Sequence, residues 1–261
     1  MLNLSCNQNS FAEGIAMLDL QSADAPLTLC PNGKASSDCA HCKVRALSVC
    51  SALEPDELDA MDKLARHVAF EKHQTLFAQG EAAESVYNIT AGSVRLFKLL
   101  PDGRRQVVGF ALPGDFLGLS LSARNAFSAE TLSAASVCQF PRVAFSDLLD
   151  AKPHLLRRLH DMAGHELSLA QDQMVILGRR TAEEKVASFL VGLRKRWARI
   201  DGSTVRAPLP MSRQDIGDYL GLTVETVSRM MTKLAREKAI VITPDGVRLL
   251  DPARLEALAE T

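Results

Sequence analysis

The chain has 261 residues, of which 47% are apolar and 23% charged, and its formal net charge is −1. This length favours two domains with ample cores, and the near-neutral charge excludes a uniformly basic surface, so any nucleic-acid site has to be a local patch. No run approaches the roughly 18 apolar residues of a membrane span, and the first, Phe11 to Leu20, is interrupted by acids. We therefore expect no signal peptide, no membrane segment and a cytoplasmic location.

Three of the six cysteines, Cys39, Cys42 and Cys50, fall within twelve residues of an N-terminal arm that we place at residues 1–52. The first two form a CxxC pair, which can turn two thiolates toward one point. In a reducing compartment, clustered cysteines bind metal or sense redox state more often than they form structural disulfides. Their spacing alone leaves zinc and an iron–sulfur cluster as open alternatives.

Short apolar runs broken by glycines follow the arm, and we assign residues 53–150 to one domain. It opens with a helix at Pro55, where proline and two acids suit a helix N-terminus. Pro101-Asp102-Gly103 is a turn between two of the runs. Strands so short and so closely spaced predict a small β-barrel or β-roll. The predicted strands are Thr75–Ala78, Val86–Ile89, Val94–Leu99, Val107–Leu112 and Ala134–Phe140.

A long amphipathic helix is predicted from Pro153 to Arg180, within a segment 151–180. Apolar residues recur every seven positions in two adjacent stripes, which together are too wide for one buried face. We therefore predict a homodimer through this helix, the alternative being a helix buried only in its own chain. Polar Glu166 and Gln173 lie between the apolar residues of the first stripe, so the predicted dimer contact surface is only half apolar. The predicted dimer contacts are Leu155, Leu159, Met162, Leu169 and Ile176, beside a second stripe of Leu156, Ala163, Ala170 and Leu177.

Residues 181–261 carry the pattern of a winged helix-turn-helix. A short helix capped by Ser212 is followed by the turn Gly221-Leu222-Thr223 and by a second helix, which Thr223 caps. Two apolar runs around Pro244-Asp245-Gly246 then predict a hairpin, the wing. Residues 179–240 contain thirteen Lys and Arg against seven Asp and Glu, so positive charge is concentrated here.

The second helix places Glu225, Ser228 and Arg229 on one outward face, because they are three and four residues apart. Glu can accept from a cytosine amine, Arg can bond guanine, and Ser adapts to either, so this face suits DNA bases. The alternative is a three-helix packing unit with a solvated charged face. The predicted DNA-binding residues are Arg213, Thr223, Glu225, Thr226, Ser228, Arg229 and Lys233.

Over nearly all of residues 50–250 the chain resembles the CRP/FNR family of bacterial transcription regulators. Gly80-Glu81, Gly92-Ser93 and Gly114-Asp115-Phe116-Leu117-Gly118 resemble the family's roll glycines, and the segment from Thr223 to Arg229 resembles the recognition helix of its FNR branch. The resemblance implies an α+β fold with an N-terminal cyclic-nucleotide-binding-like β-roll, a long dimerisation helix and a C-terminal winged helix-turn-helix. It also implies a regulator rather than an enzyme, mainly an activator, that binds TTGAT-like inverted repeats. Contacts with RNA polymerase are implied for the loop Pro101–Arg105 and the surface near Ala198–Arg206.

The sequence departs from the cyclic-nucleotide branch of that family. The phosphate pocket there needs a Glu just after the Gly-Asp-Phe turn and a later Arg-Ser pair. Here the turn continues as Leu119-Ser120, Ser128 has no arginine beside it, and Arg124 is out of pattern. A cyclic phosphate would lack its charge partner, so we expect no cyclic nucleotide.

The FNR branch carries an N-terminal cysteine group and one cysteine late in the roll, and this sequence has both. The resemblance implies that Cys39, Cys42, Cys50 and Cys138 ligate an oxygen-labile [4Fe–4S] cluster that promotes dimerisation and DNA binding. Seven residues separate Cys42 from Cys50, as in the FixK/FnrN-like subgroup. Two alternatives are redox or nitric-oxide sensing by the cysteines and a structural zinc. A thiol–disulfide enzyme is disfavoured because the CxxC pair has no βαβ context.

Overall fold

The computed structural model describes residues 38–119 and 122–260. Most of the predicted arm, with Cys6 and Cys30, therefore lies outside the described residues. The α-helices are α1 Pro55–Leu64, α2 Arg142–Ala151, α3 Pro153–Arg179, α4 Ala182–Asp201, α5 Arg213–Leu220, α6 Val224–Arg236 and α7 Pro252–Glu260. The strands are β1 Arg66–Phe70, β2 Thr75–Phe77, β3 Ser85–Ala91, β4 Val94–Leu99, β5 Arg105–Ala111, β6 Phe116–Leu117, β7 Ser128–Thr131, β8 Ala135–Pro141, β9 Arg206–Pro208, β10 Ile240–Thr243 and β11 Gly246–Leu249. Three short 3₁₀ helices, Asp38–His41, Arg45–Leu47 and Val49–Ala52, precede α1.

Strands β1 to β8 form a roll of two four-stranded antiparallel sheets, in the orders β1-β8-β3-β6 and β2-β7-β4-β5. Strand β3 is buried on both faces because successive side chains alternate between two apolar clusters, Val86 in one and Ile89 in the other. Gly92 has φ +81°, and a Cβ there would lie 2.3 Å from the Ala134 carbonyl oxygen, so the turn after β3 requires glycine.

The roll confirms the predicted fold class. The strands predicted from sequence coincide within a few residues with β2, β3, β4, β5 and β8. Strands β1, β6 and β7 were missed. Arg66 and His67 give β1 a polar character, β6 has two residues, and β7 contains small polar residues, so none of them shows an apolar run.

Helix α3 begins at Pro153 as predicted, but one predicted dimer contact is wrong. Leu155 is 0% exposed and packs inside its own chain, in the apolar cluster that also holds Cys39 and Cys50. Leu159 and Met162 are partly buried against the same cluster. Leu155 points inward because the first turn of α3 lies on the roll, so it offers nothing to a partner. The exposed apolar side chains on α3 are Leu156, Leu167, Leu169, Met174, Val175 and Leu177.

Truncating Leu155 should destabilise the protein strongly. Leu155→Ala removes a fully buried side chain between α3 and the 3₁₀ helices that contain Cys39 and Cys50, which we call the cysteine segment. We expect a loss of about 2–5 kcal/mol in the free energy of unfolding. Leu99→Ala is the matched control, since Leu99 is 55% exposed, and it should change stability by about 0.5 kcal/mol or less. Chemical denaturation measures both, and equal effects would contradict the packing described here.

The C-terminal domain is a winged helix-turn-helix, as predicted. The hydroxyls of Ser212 and Thr223 accept hydrogen bonds from the backbone N–H groups of Asp215 and Thr226, so both cap their helices. Gly221 ends α5 with φ +63°. Strands β10 and β11 form the predicted wing, and β9, which was not predicted, adds a third strand beside β11.

A buried ionic network joins the roll to α5. Arg95 on β4 donates to Asp215 at 2.7 Å, and Arg105 on β5 donates to Asp215 at 2.8 Å and to Asp218 at 2.7 Å. Burial raises the pKa of Asp215, but hydrogen bonds from Ser212 and the charge of Arg95 outweigh it, so the pKa lies below its usual range. The network holds the winged helix-turn-helix domain, which we call the recognition domain, in place on the roll.

Beneath this network, apolar side chains of the roll and of the C-terminal domain share one core. Val107 and Phe110 of β5 lie in the same cluster as Phe189 of α4 and Leu220 of α5. Tyr219 of α5 contacts the rings of Phe110 and Phe189. Across residues 38–119 and 122–260, no helix is long and apolar enough to cross a membrane.

Candidate functional site

The structure brings the four predicted cysteine ligands to one side of the roll. Cys39 and Cys50 lie in the 3₁₀ helices before α1, and Cys138 lies in β8. These three are 6–8% exposed and belong to one apolar cluster. Cys42 is half-buried, close enough to Cys50 for its charge to raise the pKa of that thiol. None of the four forms a disulfide.

The surroundings of Cys39 and Cys50 favour the protonated form of both thiols. Burial is the main cause that raises the pKa of Cys39, followed by its hydrogen bond to Asp62 and by the charges of Asp62, Cys50 and Cys138. Burial likewise raises the pKa of Cys50. A cationic centre bound by these sulfurs would reverse this balance, because it stabilises the thiolate form.

Asp62 and His67 link a cysteine of the N-terminal segment to one of the roll. The Cys39 thiol donates to Asp62 Oδ1 at 3.3 Å, and the same oxygen lies 3.2 Å from His67 Nε2. His67 Nδ1 is 3.7 Å from the Cys138 sulfur. Sequence inspection missed both residues, because Asp62 resembles a solvated acid of an amphipathic helix and His67 a surface residue of a strand end.

The four cysteines differ from the ligand set of a single metal ion. In the part of the chain that the structure describes, no group of three or more His, Cys, Asp and Glu side chains is placed to hold a metal ion. In a [4Fe–4S] cluster each cysteine binds a different iron, so the four sulfurs stand farther apart than the ligands of one ion. Three thiols in one apolar cluster, with Cys42 beside Cys50, match a cluster in the number and chemistry of its ligands.

The predicted recognition face lies on α6 and is open. Glu225, Ser228 and Arg229 are exposed side by side, while Val227 and Met231 of the same helix are buried beneath them. Arg229 Nη2 lies 3.3 Å from the Thr226 hydroxyl, which holds the guanidinium near the start of the helix. An exposed helix face with these donors and acceptors suits a DNA major groove.

Two of the predicted DNA-binding residues are less free than expected. Lys233 Nζ lies 2.5 Å from Glu183 Oε2, so its charge is already paired. Arg213 is half-buried, and its Nη1 is buried with no hydrogen-bond partner among the described residues. Burial lowers the pKa of Arg213. Both roles stay predictions.

Comparison with known proteins agrees with this geometry. Residues 67–152 match the family model of the cyclic nucleotide-binding domain, and residues 184–258 match that of the Crp-like helix-turn-helix domain. The chain is 53% identical over 234 residues to the transcriptional activatory protein AadR of Rhodopseudomonas palustris, covering 90% of this chain and 97% of that protein. The chain belongs to the CRP/FNR family of transcription regulators.

Further CRP/FNR relatives strengthen the assignment. The nitrogen fixation regulation protein FixK of Bradyrhizobium diazoefficiens is 54% identical over 229 residues, which span 88% of this chain and 95% of that protein. The solved structure of FixK2 from Bradyrhizobium japonicum superposes with a TM-score of 0.69 and 38% identity, covering 74% of this chain and 96% of that one. The predictions of the family, of the fold and of a regulator rather than an enzyme are confirmed.

Proposed function

We propose that this CRP/FNR regulator is an oxygen-responsive transcription activator of anaerobic or microaerobic genes, and that Cys39, Cys42, Cys50 and Cys138 hold a [4Fe–4S] cluster. The observation that carries the proposal is the meeting of Cys39 and Cys50 with Cys138, which is 88 residues beyond Cys50, in one apolar cluster. Thiols this far apart in sequence do not converge by local folding. Their meeting in one apolar cluster supports a shared bound group, because thiolates are the ligands of iron–sulfur clusters.

The cysteine segment also contacts the proposed dimer helix. The 3₁₀ helix that contains Cys50 packs on α3, and Leu155 of α3 lies in the same apolar cluster. Lys152 and His154, at the start of α3, bind Glu57 of α1 at 2.7 and 2.9 Å. A change at the cysteines therefore reaches the helix that carries the exposed stripe from Leu156 to Leu177.

The cluster, when bound, supplies oxygen-sensitive iron chemistry, and the chain supplies the switch. When the segment that contains Cys39, Cys42 and Cys50 is ordered, it holds α3 in one position on the roll. That position favours a homodimer through the exposed apolar stripe of α3. Two copies of α6 then face successive major grooves of an inverted repeat with TTGAT-like half-sites. Loss of order after oxygen exposure weakens that dimer. The exposed turn that begins at Pro101 and the surface between α4 and β9 are proposed to contact RNA polymerase.

A cyclic nucleotide plays no part in this proposal, although the roll matches the cyclic nucleotide-binding domain. The guanidinium of Arg124 donates to the Gly80 carbonyl oxygen at 2.6 Å, so its charge is directed to the backbone. Phe77, Leu96 and Phe127 form an apolar part of the lining of the neighbouring cavity. No arginine stands beside Ser128, so a phosphate held at that position would lack the charge partner used by the cyclic-nucleotide branch.

Anaerobic reconstitution tests the proposal. The full-length protein, purified and loaded with iron and sulfide without air, should contain about four irons and four sulfides per chain and absorb near 400 nm. Fewer than three irons per chain, with DNA affinity that does not change in air, would contradict the proposal. A single tightly bound zinc would favour the structural-metal alternative. Intact thiols that oxidise reversibly without iron would favour direct redox or nitric-oxide sensing.

Substituting Arg229 tests the recognition face. Arg229→Ala should remove one base contact per half-site and cost about 1–3 kcal/mol of discrimination at that base pair. Arg236→Ala, an exposed cation in the last turn of α6, is the matched control and should weaken specific and non-specific binding alike. Gel-shift titration against the inverted repeat and a scrambled duplex measures both. If Arg229→Ala weakens both duplexes equally, Arg229 contacts phosphate and not a base.

A further inference from the structure

Asn88 is a buried amide directly beside Cys138, on a sheet face whose buried part is mainly apolar. Within the first sheet of the roll, Asn88 of β3 pairs with Cys138 of β8 on one side and with Phe116 of β6 on the other. Residues directly opposite each other project from the same face, with Cβ atoms about 4.5–5.5 Å apart. His67 of β1 pairs with Cys138 from the far side. The four side chains form one row across the sheet.

The amide of Asn88 destabilises the folded protein where it lies. Asn88 is 1% exposed, and its Oδ1 is buried with no hydrogen-bond partner in the described part of the chain. Its neighbours on this face, Val86, Phe116 and Phe140, are apolar. An unpaired buried carbonyl oxygen destabilises a fold, and asparagine is disfavoured in strands. Folding alone favours an aliphatic side chain here, so the amide calls for another explanation.

We propose that Asn88 is a positioning residue whose carboxamide hydrogen-bonds the sulfur of Cys138, and so sets the lifetime and potential of the iron–sulfur cluster. This inference rests on the proposed function. An amide suits a metal-bound sulfur because its nitrogen carries two N–H donors. In the metal-free protein Oδ1 receives no hydrogen bond from the described residues. When the sulfur binds iron, the thiol proton passes to solvent and the sulfur becomes an acceptor.

A half-turn about the last side-chain bond of Asn88 then presents Nδ2–H to the sulfur, and the two orientations of such an amide are close in torsional energy. N–H donors to ligand sulfurs raise the reduction potential of a cluster and hold its ligands in place. An aliphatic side chain would fill the space and supply no hydrogen bond to the sulfur.

The test is Asn88→Leu in the full-length chain, because leucine has the branching of asparagine without its polar atoms. In metal-free protein the thermal midpoint should rise by about 2–4 °C, since the unpaired oxygen is gone. In cluster-loaded protein, iron should pass to a chelator roughly tenfold faster, and the reduction potential should fall. If Asn88 were only a structural residue, its substitution would change the thermal stability of the metal-free protein and the stability of the bound cluster in the same direction.

Two further variants keep the inference falsifiable. Asn88→Asp retains the shape but lacks the N–H donors, so it should also lose iron faster. Ile89→Val is the matched control, because Ile89 projects into the opposite core, and it should leave the rate of iron loss unchanged. Wild-type rates of iron loss in both Asn88 variants would overturn the inference alone. A wild-type protein that binds no iron would overturn the proposed function, and the inference with it.

Discussion

Cys138→Ser should abolish cluster binding in the anaerobically reconstituted protein, lowering the iron content from about four per chain to less than one. Cys138 is the only one of the four predicted ligands outside the N-terminal segment, so its loss also removes the tie between that segment and the roll. Affinity for the inverted repeat should fall by about 5- to 150-fold, the usual range of coupling between two sites. Iron and sulfide assays with anaerobic gel shifts measure the two effects.

Cys6→Ser is the control for this prediction, because Cys6 carries no signal of ligation in the sequence. It should leave iron content and DNA affinity unchanged. The metal-free Cys138→Ser protein should keep the helical circular dichroism of the wild type, which separates ligand loss from misfolding. A Cys138→Ser variant that retains four irons would show that the fourth ligand is another residue.

Asp215→Ala should cost about 3–5 kcal/mol in the free energy of unfolding. Asp215 is 3% exposed, and its carboxylate binds Arg95 and Arg105 of the roll as well as capping α5 through Ser212. Its removal leaves two half-buried guanidinium groups without a shared partner. Because the folded pKa of Asp215 lies below its unfolded value, this stabilisation is present above about pH 4. It is lost as the pH falls through the folded pKa.

The matched control is Asp102→Ala, which removes an exposed pair with Arg104 and should cost about 1 kcal/mol or less. Urea denaturation near pH 7 and below pH 4 measures both variants. Asp215→Asn should lie between the two, since it keeps the capping oxygen and loses the charge. Equal effects of the Asp215 and Asp102 substitutions would show that the network does not hold the recognition domain on the roll.

The elements that the sequence predicted well are those with strong local signals. Pro55 with its following acids, the heptad-spaced α3 and the caps Ser212 and Thr223 each determine their helix within a few residues of chain. The inward direction of Leu155 could not be predicted. Both stripes of α3 are apolar, and only the docking of its first turn on the roll decides which one is buried.

Contacts that depend on distant segments were not predictable from local patterns. Asp62, His67 and the pair Arg95–Asp215 are ordinary polar residues in sequence. Their roles arise from contacts across 23, 71 and 120 positions respectively. Asn88 did leave a signal, since a strand-disfavoured amide interrupts the apolar run from Val86 to Ile89. Such an interruption indicates a buried polar group, but only the strand register shows that it lies beside Cys138.

The central claim is that the cysteine site controls DNA binding, and one measurement tests it most directly. A single preparation, reconstituted without air, is titrated with the inverted-repeat duplex at fixed salt before and after oxygen is admitted, while absorbance near 400 nm is followed. Absorbance and affinity should fall together, and sedimentation should show the dimer dissociating. An affinity that stays constant while the absorbance is lost would contradict it.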